Sequence, residues 1–389
     1  MDINAYFDPV GLDRPSFHLL PEKYSFSRSI AIHTPDQPIR DLSKHDVALI
    51  GLPQDKGAFI KGSASAPDKV RGMLYQLRMT DPGVKVCDLG NLKVSDRIND
   101  AYYAIRDIVL DLHEQKVLPF FIGGSQDLSF GVLLALQQLA GVQQVVTVDP
   151  RLDFWPGNVK EINSGNYLNY IFGKDESKSF LYSNIGHQVY FIAGSQFDLL
   201  EERMMESIRV GSLRNDIRKA EPVIRDADFV GIDMNVVRHS DGPGVTNPSP
   251  NGLFGDELCA LSRYAGISEK VKVAGLFELA PGNDVNDQTS HLAAQAIWYF
   301  IEGMSRRMNE NPTENSGHAK KFIVRPENAE EDLTFYKSNL SDRWWIEIPV
   351  KNPVTNHNYF IACSYEDYQK ACNNVIPDRW WRYLRRLEN

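Results

Sequence analysis

Residues 117–127 have the sequence Val-Leu-Pro-Phe-Phe-Ile-Gly-Gly-Ser-Gln-Asp, an apolar run that ends at two glycines and a polar segment. A run that is apolar at nearly every position is typical of a strand covered on both faces, as in a parallel sheet. Residues 145–153, Val-Val-Thr-Val-Asp-Pro-Arg-Leu-Asp, show the same change from apolar to polar. Both stretches therefore predict buried parallel strands that are followed directly by polar residues.

Short apolar runs and longer amphipathic segments alternate outward from these two stretches, between residues 46 and 309. Ile105, Ile108 and Leu112 recur every three to four residues, which is the period of a helix with one buried face. Strands that alternate with helices place the helices on both faces of a parallel sheet. We therefore predict an α/β fold with three α/β/α layers and a mainly parallel, doubly wound sheet. The predicted strands are residues 47–51, 84–88, 117–122, 145–149, 189–193, 229–233 and 273–278, and the predicted helices are residues 101–115, 127–139 and 289–308.

A polar segment with proline and glycine, residues 309–318, interrupts this alternation and is typical of a linker or surface loop. We therefore divide the chain into a domain of residues 1–310 and a small C-terminal α+β extension of residues 311–389. The last segment combines two tryptophans with four arginines, and we expect its aromatic side chains to pack against the α/β domain. In the extension we predict strands at residues 321–325, 345–350 and 359–364, and helices at residues 330–338, 366–373 and from Pro377 onward.

Composition narrows the class of protein. The 389 residues include 42 basic and 51 acidic side chains, a formal net charge of −9, which argues against nucleic acid and anionic membranes as partners. The four cysteines are widely spaced and form no Cys-x-x-Cys pair, as expected of reduced thiols. The sequence shows neither a signal-like apolar segment near its start nor a membrane-spanning apolar run. We therefore expect a cytoplasmic protein that binds neither nucleic acid nor membrane.

Acidic residues follow several of the predicted strands. Asp149 and Asp153 follow the strand at residues 145–149, and Asp233 and Glu278 end two later strands. Ligands of an open parallel sheet bind outside the carboxyl ends of its strands, so we expect these side chains to meet at one edge. Like charges at short range raise one another's pKa unless a cation or hydrogen-bond donors compensate. The sequence therefore predicts a positively charged species at this edge.

Short motifs also occur in a fixed order between residues 46 and 305. They are Ile50-Gly51-Leu52-Pro53, Lys56-Gly57, Ala66-Pro67, Val70-Arg71, Asp88-Leu89-Gly90-Asn91, Gly123-Gly124, Asp149 with Asp153, Ser164-Gly165-Asn166, Asp233, Pro243-Gly244-Val245-Thr246-Asn247-Pro248, Asn251-Gly252-Leu253 and Glu278 before Pro281. In this order they resemble the arginase–agmatinase–formimidoylglutamase (ureohydrolase) family, with formimidoylglutamase-like members nearest. The resemblance implies the arginase-like fold and a hydrolase that acts on C–N bonds of linear amidines.

The resemblance also implies a metal site, which this sequence alters. The family holds two manganese ions with GGDHS, DAHxD and DxD segments, because imidazoles and carboxylates fix the ions and lower the pKa of a bridging water. Gln126 and Arg151 stand where the resemblance implies histidines, and Asn235 stands where it implies an aspartate. The remnant metal positions are therefore Gln126, Asp149, Asp153, Asp233 and Asn235.

Further site residues follow from the same resemblance. Glu278 matches an acid that cradles the guanidinium in some members, and Ser164 and Asn166 match residues that grip the substrate carboxylate. Leu168 replaces a histidine that the family uses around proton transfer. We take Ser164, Asn166 and Glu278 as candidate substrate-binding residues, and the remnant of the catalytic site as Asp149, Arg151, Asp233 and Glu278.

The arginine changes the charge of the site. A guanidinium is permanently protonated and its planar fork matches carboxylates, so we hypothesise that Arg151 fills one metal position and pairs with Asp149 and Asp233. We then expect no metal cofactor. The alternative is one hard cation, Mn, Mg or Ca, on the remaining oxygen ligands, which include Gln126. A third interpretation is a structural salt-bridge network inherited from an enzyme.

Two functions remain open on this sequence. The first is a pseudoenzyme, inactive or weakly active, that acts as a scaffold or binds an unknown small molecule or protein. The second is an active formimidoylglutamase- or arginase-type hydrolase of amidino or guanidino compounds that uses a reduced metal site. The family's members often form trimers or hexamers, so a homo-oligomer is a further expectation.

Overall fold

The computed structural model describes residues 3–11, 20–157, 160–172, 179–312, 317–327, 331–352 and 357–388. Within these ranges ten strands form a central sheet: β1 (Phe7–Asp8), β2 (Ala31–Ile32), β3 (Val47–Leu52), β4 (Val86–Leu92), β5 (Leu118–Gly123), β6 (Gln143–Val148), β7 (Phe180–His187), β8 (Glu206–Arg209), β9 (Phe229–Asp233) and β10 (Val273–Phe277). Their order is β1-β4-β3-β5-β10-β9-β6-β7-β8, with β2 beside β4. The pairings are parallel apart from the antiparallel pair of β1 and β4.

Both faces of this sheet are covered, which confirms the predicted three-layer α/β fold. Phe120 and Phe121 are neighbours on β5, yet each belongs to a different hydrophobic core, because successive side chains of a strand point to opposite faces. Among the described helices, none combines the length and apolar character needed to cross a bilayer. The helices of this part are α1 (Ala66–Leu74), α2 (Ile98–Glu114), α3 (Ser129–Leu136), α4 (Gly194–Glu202), α5 (Val210–Asn215), α6 (Glu221–Arg225), α7 (Gly255–Ile267) and α8 (Gln288–Met304).

The sheet brings the ends of β6, β9 and β10 together. Val148 pairs with Ile232, and Asp233 pairs with Phe277, so these three strands end at nearly the same level. Asp149 and Glu278 each follow the last residue of their strand. The strand order therefore places three acidic residues side by side.

The strand predicted at residues 189–193 is wrong. Residues Val189–Phe191 form a short 3-10 helix, and Val189 and Tyr190 are exposed. The strand at this place in the sheet is β7, which lies earlier in the chain and is buried along its whole length. The apolar run at residue 189 therefore belongs to a surface loop, whereas polar residues within β7 conceal the strand.

The extension forms a second sheet of four antiparallel strands, in the order β11-β12-β13-β14. The predicted helix at residues 330–338 is wrong, because residues 333–338 form a strand; residue 330 lies outside the described ranges. Thr334, Phe335 and Tyr336 favour a strand and pair with neighbouring strands, which outweighs the apparent helical spacing. The elements are β11 (Ala319–Val324), β12 (Leu333–Ser338), β13 (Trp344–Lys351), β14 (Asn358–Cys363), α9 (Tyr365–Cys372) and α10 (Asp378–Glu388).

Helix α10 joins the extension to the α/β domain. The Arg379 side chain is buried; its Nη2 atom lies 2.6 Å from Asp226 Oδ2, and its Nη1 atom pairs with Glu206. Trp380 is also buried and donates its indole N–H to the carbonyl of Glu347, 2.9 Å away. The aromatic residues of this helix therefore pack as the sequence predicts, and the arginine forms a buried ion pair across the junction.

Candidate functional site

Three aspartates converge at the carboxyl edge of the sheet. Asp149 follows β6, Asp153 lies in the loop after it, and Asp233 ends β9. One oxygen atom from each carboxyl group lies within 4.8 Å of the others, and all three side chains are buried. The fold therefore concentrates acidic groups where burial disfavours their charge.

This burial changes the protonation of the cluster. Burial raises the pKa of Asp149 to about 6. Burial, followed by the charges of Asp149 and Asp233, raises the pKa of Asp153 well above its usual value. Burial and the charge of Asp149 likewise raise the pKa of Asp233. Near neutral pH the cluster therefore retains protons unless a cation replaces them.

Backbone amides satisfy only part of this negative charge. The backbone N–H of Arg151 donates to Asp149 Oδ1 at 2.7 Å, and that of Asn235 donates to Asp233 Oδ1 at 2.7 Å. In the described residues, the buried Asp149 Oδ2 and Asp153 Oδ2 atoms have no donor apart from a carboxyl proton that the two groups share. These two oxygens are available to a ligand that brings positive charge or a hydrogen.

The predicted ion pair of Arg151 with Asp149 and Asp233 is wrong. The Arg151 guanidinium carbon lies 4.3 Å from the ring centroid of Phe191, and in the described part of the chain this side chain forms no ion pair. The backbone amide of Arg151 already serves Asp149, so the side chain extends to the aromatic ring and keeps partial contact with solvent. Its charge still lowers the pKa of Asp149 and Asp233 at a distance, as a smaller effect than the burial that raises it.

The two amides at remnant metal positions are engaged by neighbouring protein groups. Gln126 Nε2 donates to the hydroxyl of Tyr167 at 3.0 Å, whereas its Oε1 atom is buried without a donor in the described residues. Asn235 Nδ2 donates to Thr246 Oγ1 at 3.1 Å, and its Oδ1 accepts the backbone N–H of Asn247 at 2.7 Å. Asn235 is therefore held by its own loop, and Gln126 offers one free oxygen.

Glu278 connects these groups. Its Oε1 accepts the backbone N–H of Gln126, and its Oε2 accepts the hydroxyl of Thr246, both at 2.7 Å. Glu278 has φ = 63°, a left-handed conformation that is uncommon for a residue with a side chain and that recurs at functional sites. Burial raises its pKa to about 7. Thr246 and Tyr167 were not singled out from the sequence; a hydroxyl within the polar loop at residues 243–248 was the available signal.

Ser164 and Asn166 lie in a loop near this edge, and their side chains bind the backbone. Ser164 Oγ accepts the backbone N–H of Phe59 at 2.9 Å. Asn166 Nδ2 donates to the carbonyl of Glu161 at 3.0 Å. Leu168 is fully buried. The predicted substrate-binding role of Ser164 and Asn166 stays a prediction, and these contacts show that both residues shape the loop.

The donor set decides which metal the site suits. The carboxylates of Asp149, Asp153 and Asp233 and the free Gln126 Oε1 are all oxygen ligands, which suit one hard cation. A pair of manganese ions needs more ligands than these, and the imidazoles that the sequence resemblance implies are absent at residues 126 and 151. The residues therefore fit a single cation and do not fit a bridged pair.

Comparison with known proteins places this geometry in a family. The model of the arginase family matches residues 45–302. Formimidoylglutamase of Bacillus subtilis is 26% identical over 324 residues, which cover 73% of this chain and 98% of that protein. Formimidoylglutamase of Halobacterium salinarum is 28% identical over 278 residues, which cover 68% of this chain and 89% of that protein.

Solved structures show the same fold. A crystal structure of Trypanosoma cruzi formiminoglutamase with Mn²⁺ has a TM-score of 0.64 at 21% identity and covers 69% of this chain and 96% of that one. The formimidoylglutamase structure from Bacillus subtilis has a TM-score of 0.65 at 21% identity and covers 76% of this chain and 97% of that one. The arginase-like fold predicted from the sequence is therefore confirmed, and the chain belongs to the arginase family.

Proposed function

We propose that this arginase-family protein binds a ligand at its carboxylate edge and hydrolyses amidino or guanidino compounds weakly or not at all. The observation that supports this proposal is the state of the three altered metal positions. Asn235 is fixed by Thr246 and Asn247, Gln126 donates to Tyr167, and the Arg151 side chain lies over Phe191. Three of the positions that would fix two ions thus have other partners.

The chemistry of the reaction explains why this matters. A hydroxide at neutral pH requires metal ions that lower the pKa of a bound water from about 16 to about 7. The buried aspartates have raised pKa values and hold protons near neutral pH, so without a cation they neither activate water strongly nor accumulate charge. A site of this kind favours binding over hydrolysis.

A second candidate function is a hydrolase with one cation. It is favoured by the buried oxygens without donors on Asp149, Asp153 and Gln126. These residues, with Asp233, would hold the ion. A bound divalent cation supplies Lewis-acid polarisation of a carbon–nitrogen bond or of a water, and Glu278 would orient a cationic group of the substrate.

The remaining expectations are also proposals. We propose a cytoplasmic location, because all four cysteines are free thiols, three of them buried. The ligand would be a small molecule or a protein, and a homo-oligomer, as in other members of the family, is proposed on the resemblance alone.

The proposal is tested by metal content and by turnover. Purified protein is analysed for bound metal and is then assayed with added Mn²⁺ for release of ammonia, formamide or urea from formimidoylglutamate, agmatine, guanidinobutyrate and arginine. We expect no turnover above that of the Asp149→Ala control. Turnover that survives purification and disappears in that control would establish the second candidate function instead.

A reversal variant tests the altered positions directly. Gln126→His, Arg151→His and Asn235→Asp together restore the ligands that the resemblance implies, and we expect this triple variant to gain Mn²⁺ affinity in calorimetry. A triple variant that folds but takes up no Mn²⁺ would show that the loss of metal does not lie in these three residues.

A further inference from the structure

A cavity of about 410 Å³ lies at the opposite edge of the sheet from the carboxylates. Its floor is formed at the amino ends of β6, β9 and β10, where Gln144, Asp228 and Lys272 lie. Its roof is formed by the C-terminal extension. This volume falls within the range of small-molecule sites, which often lie where two units of a chain meet.

The walls of the cavity are largely apolar and aromatic. The extension contributes Trp345, Tyr359, Phe360 and Tyr383, and β7 contributes Leu181. Aromatic rings favour a flat partner, because stacked and edge-to-face contacts add to the apolar area that is buried. The shape of the lining therefore selects a planar, predominantly apolar molecule.

The charged groups of the lining are paired. Lys270 Nζ lies 2.6 Å from Asp226 Oδ1, and Lys272 Nζ lies 2.9 Å from Asp228 Oδ1. A charged ligand would lose its hydration without finding an unpaired opposite charge here. The occupant of this cavity is therefore uncharged.

One buried donor of the lining has no acceptor. The Trp345 side chain is 1% exposed, and in the described residues its indole N–H has no hydrogen-bond partner. The guanidinium carbon of Arg225 lies 4.4 Å from the Trp345 ring centroid, so one face of the indole is covered by protein. Buried indole N–H groups usually find a partner, so this donor marks the place where an acceptor is missing.

We propose that this cavity binds an uncharged planar aromatic molecule that carries a hydrogen-bond acceptor, such as a ring nitrogen or a carbonyl, which accepts from Trp345. The cavity lies at the far edge of the sheet, so this inference does not depend on the function proposed for the carboxylates. The ligand would bind between the α/β domain and the extension and hold the two together.

Two probes of nearly equal shape test the role of the acceptor. Quinoline has a ring nitrogen and is uncharged at about pH 8, whereas naphthalene lacks the acceptor. We expect saturable binding of quinoline to the full chain by calorimetry, with a Kd on the order of 1 mM or lower for a ligand of this size. We expect naphthalene to bind about fivefold more weakly, since a net hydrogen bond is lost.

Two variants place the binding in this cavity. Trp345→Phe removes the donor and should abolish the preference for quinoline over naphthalene. Leu387→Trp adds volume to the lining and should weaken both probes about tenfold or more. Leu340→Trp, at an exposed position of the extension, is the matched control and should bind like the unsubstituted chain.

The outcomes are decisive in both directions. Equal affinity of the unsubstituted chain for the two probes, or no saturable quinoline binding, would overturn the proposal. A Leu387→Trp variant that keeps full affinity would also overturn it, provided that its circular dichroism and Tm show a folded chain. The probe comparison on the unsubstituted chain stands even if one variant fails to fold.

Discussion

Replacement of Asp149 by asparagine should stabilise the protein at alkaline pH. The carboxyl group is 1% exposed, and its pKa of about 6 lies above the usual value of 3.8. The folded chain therefore binds this proton more tightly than the unfolded chain, so the free energy of unfolding falls as the pH rises from about 4 to about 6. A difference of about two pKa units corresponds to about 3 kcal/mol. The substitution removes this pH-dependent loss of stability, while the asparagine side-chain oxygen still accepts the backbone N–H of Arg151.

The assay is unfolding at several pH values in metal-free buffer. With an entropy of unfolding typical for a chain of this length, about 3 kcal/mol raises the Tm by about 4 °C at pH 8, and the difference should vanish at or below about pH 4. Asp36→Asn, at an exposed position, is the control and should leave the Tm unchanged at every pH. An Asp149→Asn variant that is less stable than the unsubstituted chain at pH 8 would refute the argument, because Asp149 would then have a favourable partner.

Three other substitutions test particular contacts by urea unfolding. Arg379→Met leaves Asp226 buried with a weaker set of partners and should lower the free energy of unfolding by about 3 kcal/mol; a change below about 1 kcal/mol would contradict the buried ion pair. Arg151→Ala removes a cation–π contact with Phe191 and should lower it by about 1 kcal/mol or less, whereas a change of about 3 kcal/mol would restore the ion-pair hypothesis. Glu278→Ala leaves two buried donors without acceptors and should lower it by about 2 kcal/mol, and a neutral effect would mean that water replaces the carboxylate.

The sequence predicted the fold where burial alone determines a strand. Both faces of β5 are apolar, so its pattern is continuous and unambiguous. β7 was missed because Ser183 and Asn184 are buried within it and are satisfied by distant groups. Gln144 Nε2 donates to Ser183 Oγ at 2.9 Å, and Asn184 Nδ2 donates to the carbonyl of Arg151 at 3.0 Å. Such partners are set by tertiary structure, so a local pattern does not contain them.

The candidate site shows the same division. The convergence of Asp149, Asp233 and Glu278 follows from their places at strand ends and could be predicted. The direction of the Arg151 side chain could not, because its backbone amide and its guanidinium compete for Asp149. The amide, two residues along the chain, wins because the turn brings it to 2.7 Å at little loss of conformational entropy. The long side chain would have to be desolvated to do the same.

The cluster of protonated aspartates links ligand binding to pH, and this separates the two candidate functions. A cation that binds Asp149, Asp153 and Asp233 must displace the protons that burial retains, so its affinity rises with pH through the range of their raised pKa values. Binding to the folded chain alone also raises the Tm. If one cation belongs to the site, Mn²⁺ should raise the Tm more at pH 8 than at pH 5, and Asp149→Asn should reduce that effect. If the protein binds its ligand without metal, Mn²⁺ should leave the Tm unchanged at both pH values, and the stabilisation by Asp149→Asn should persist in its presence.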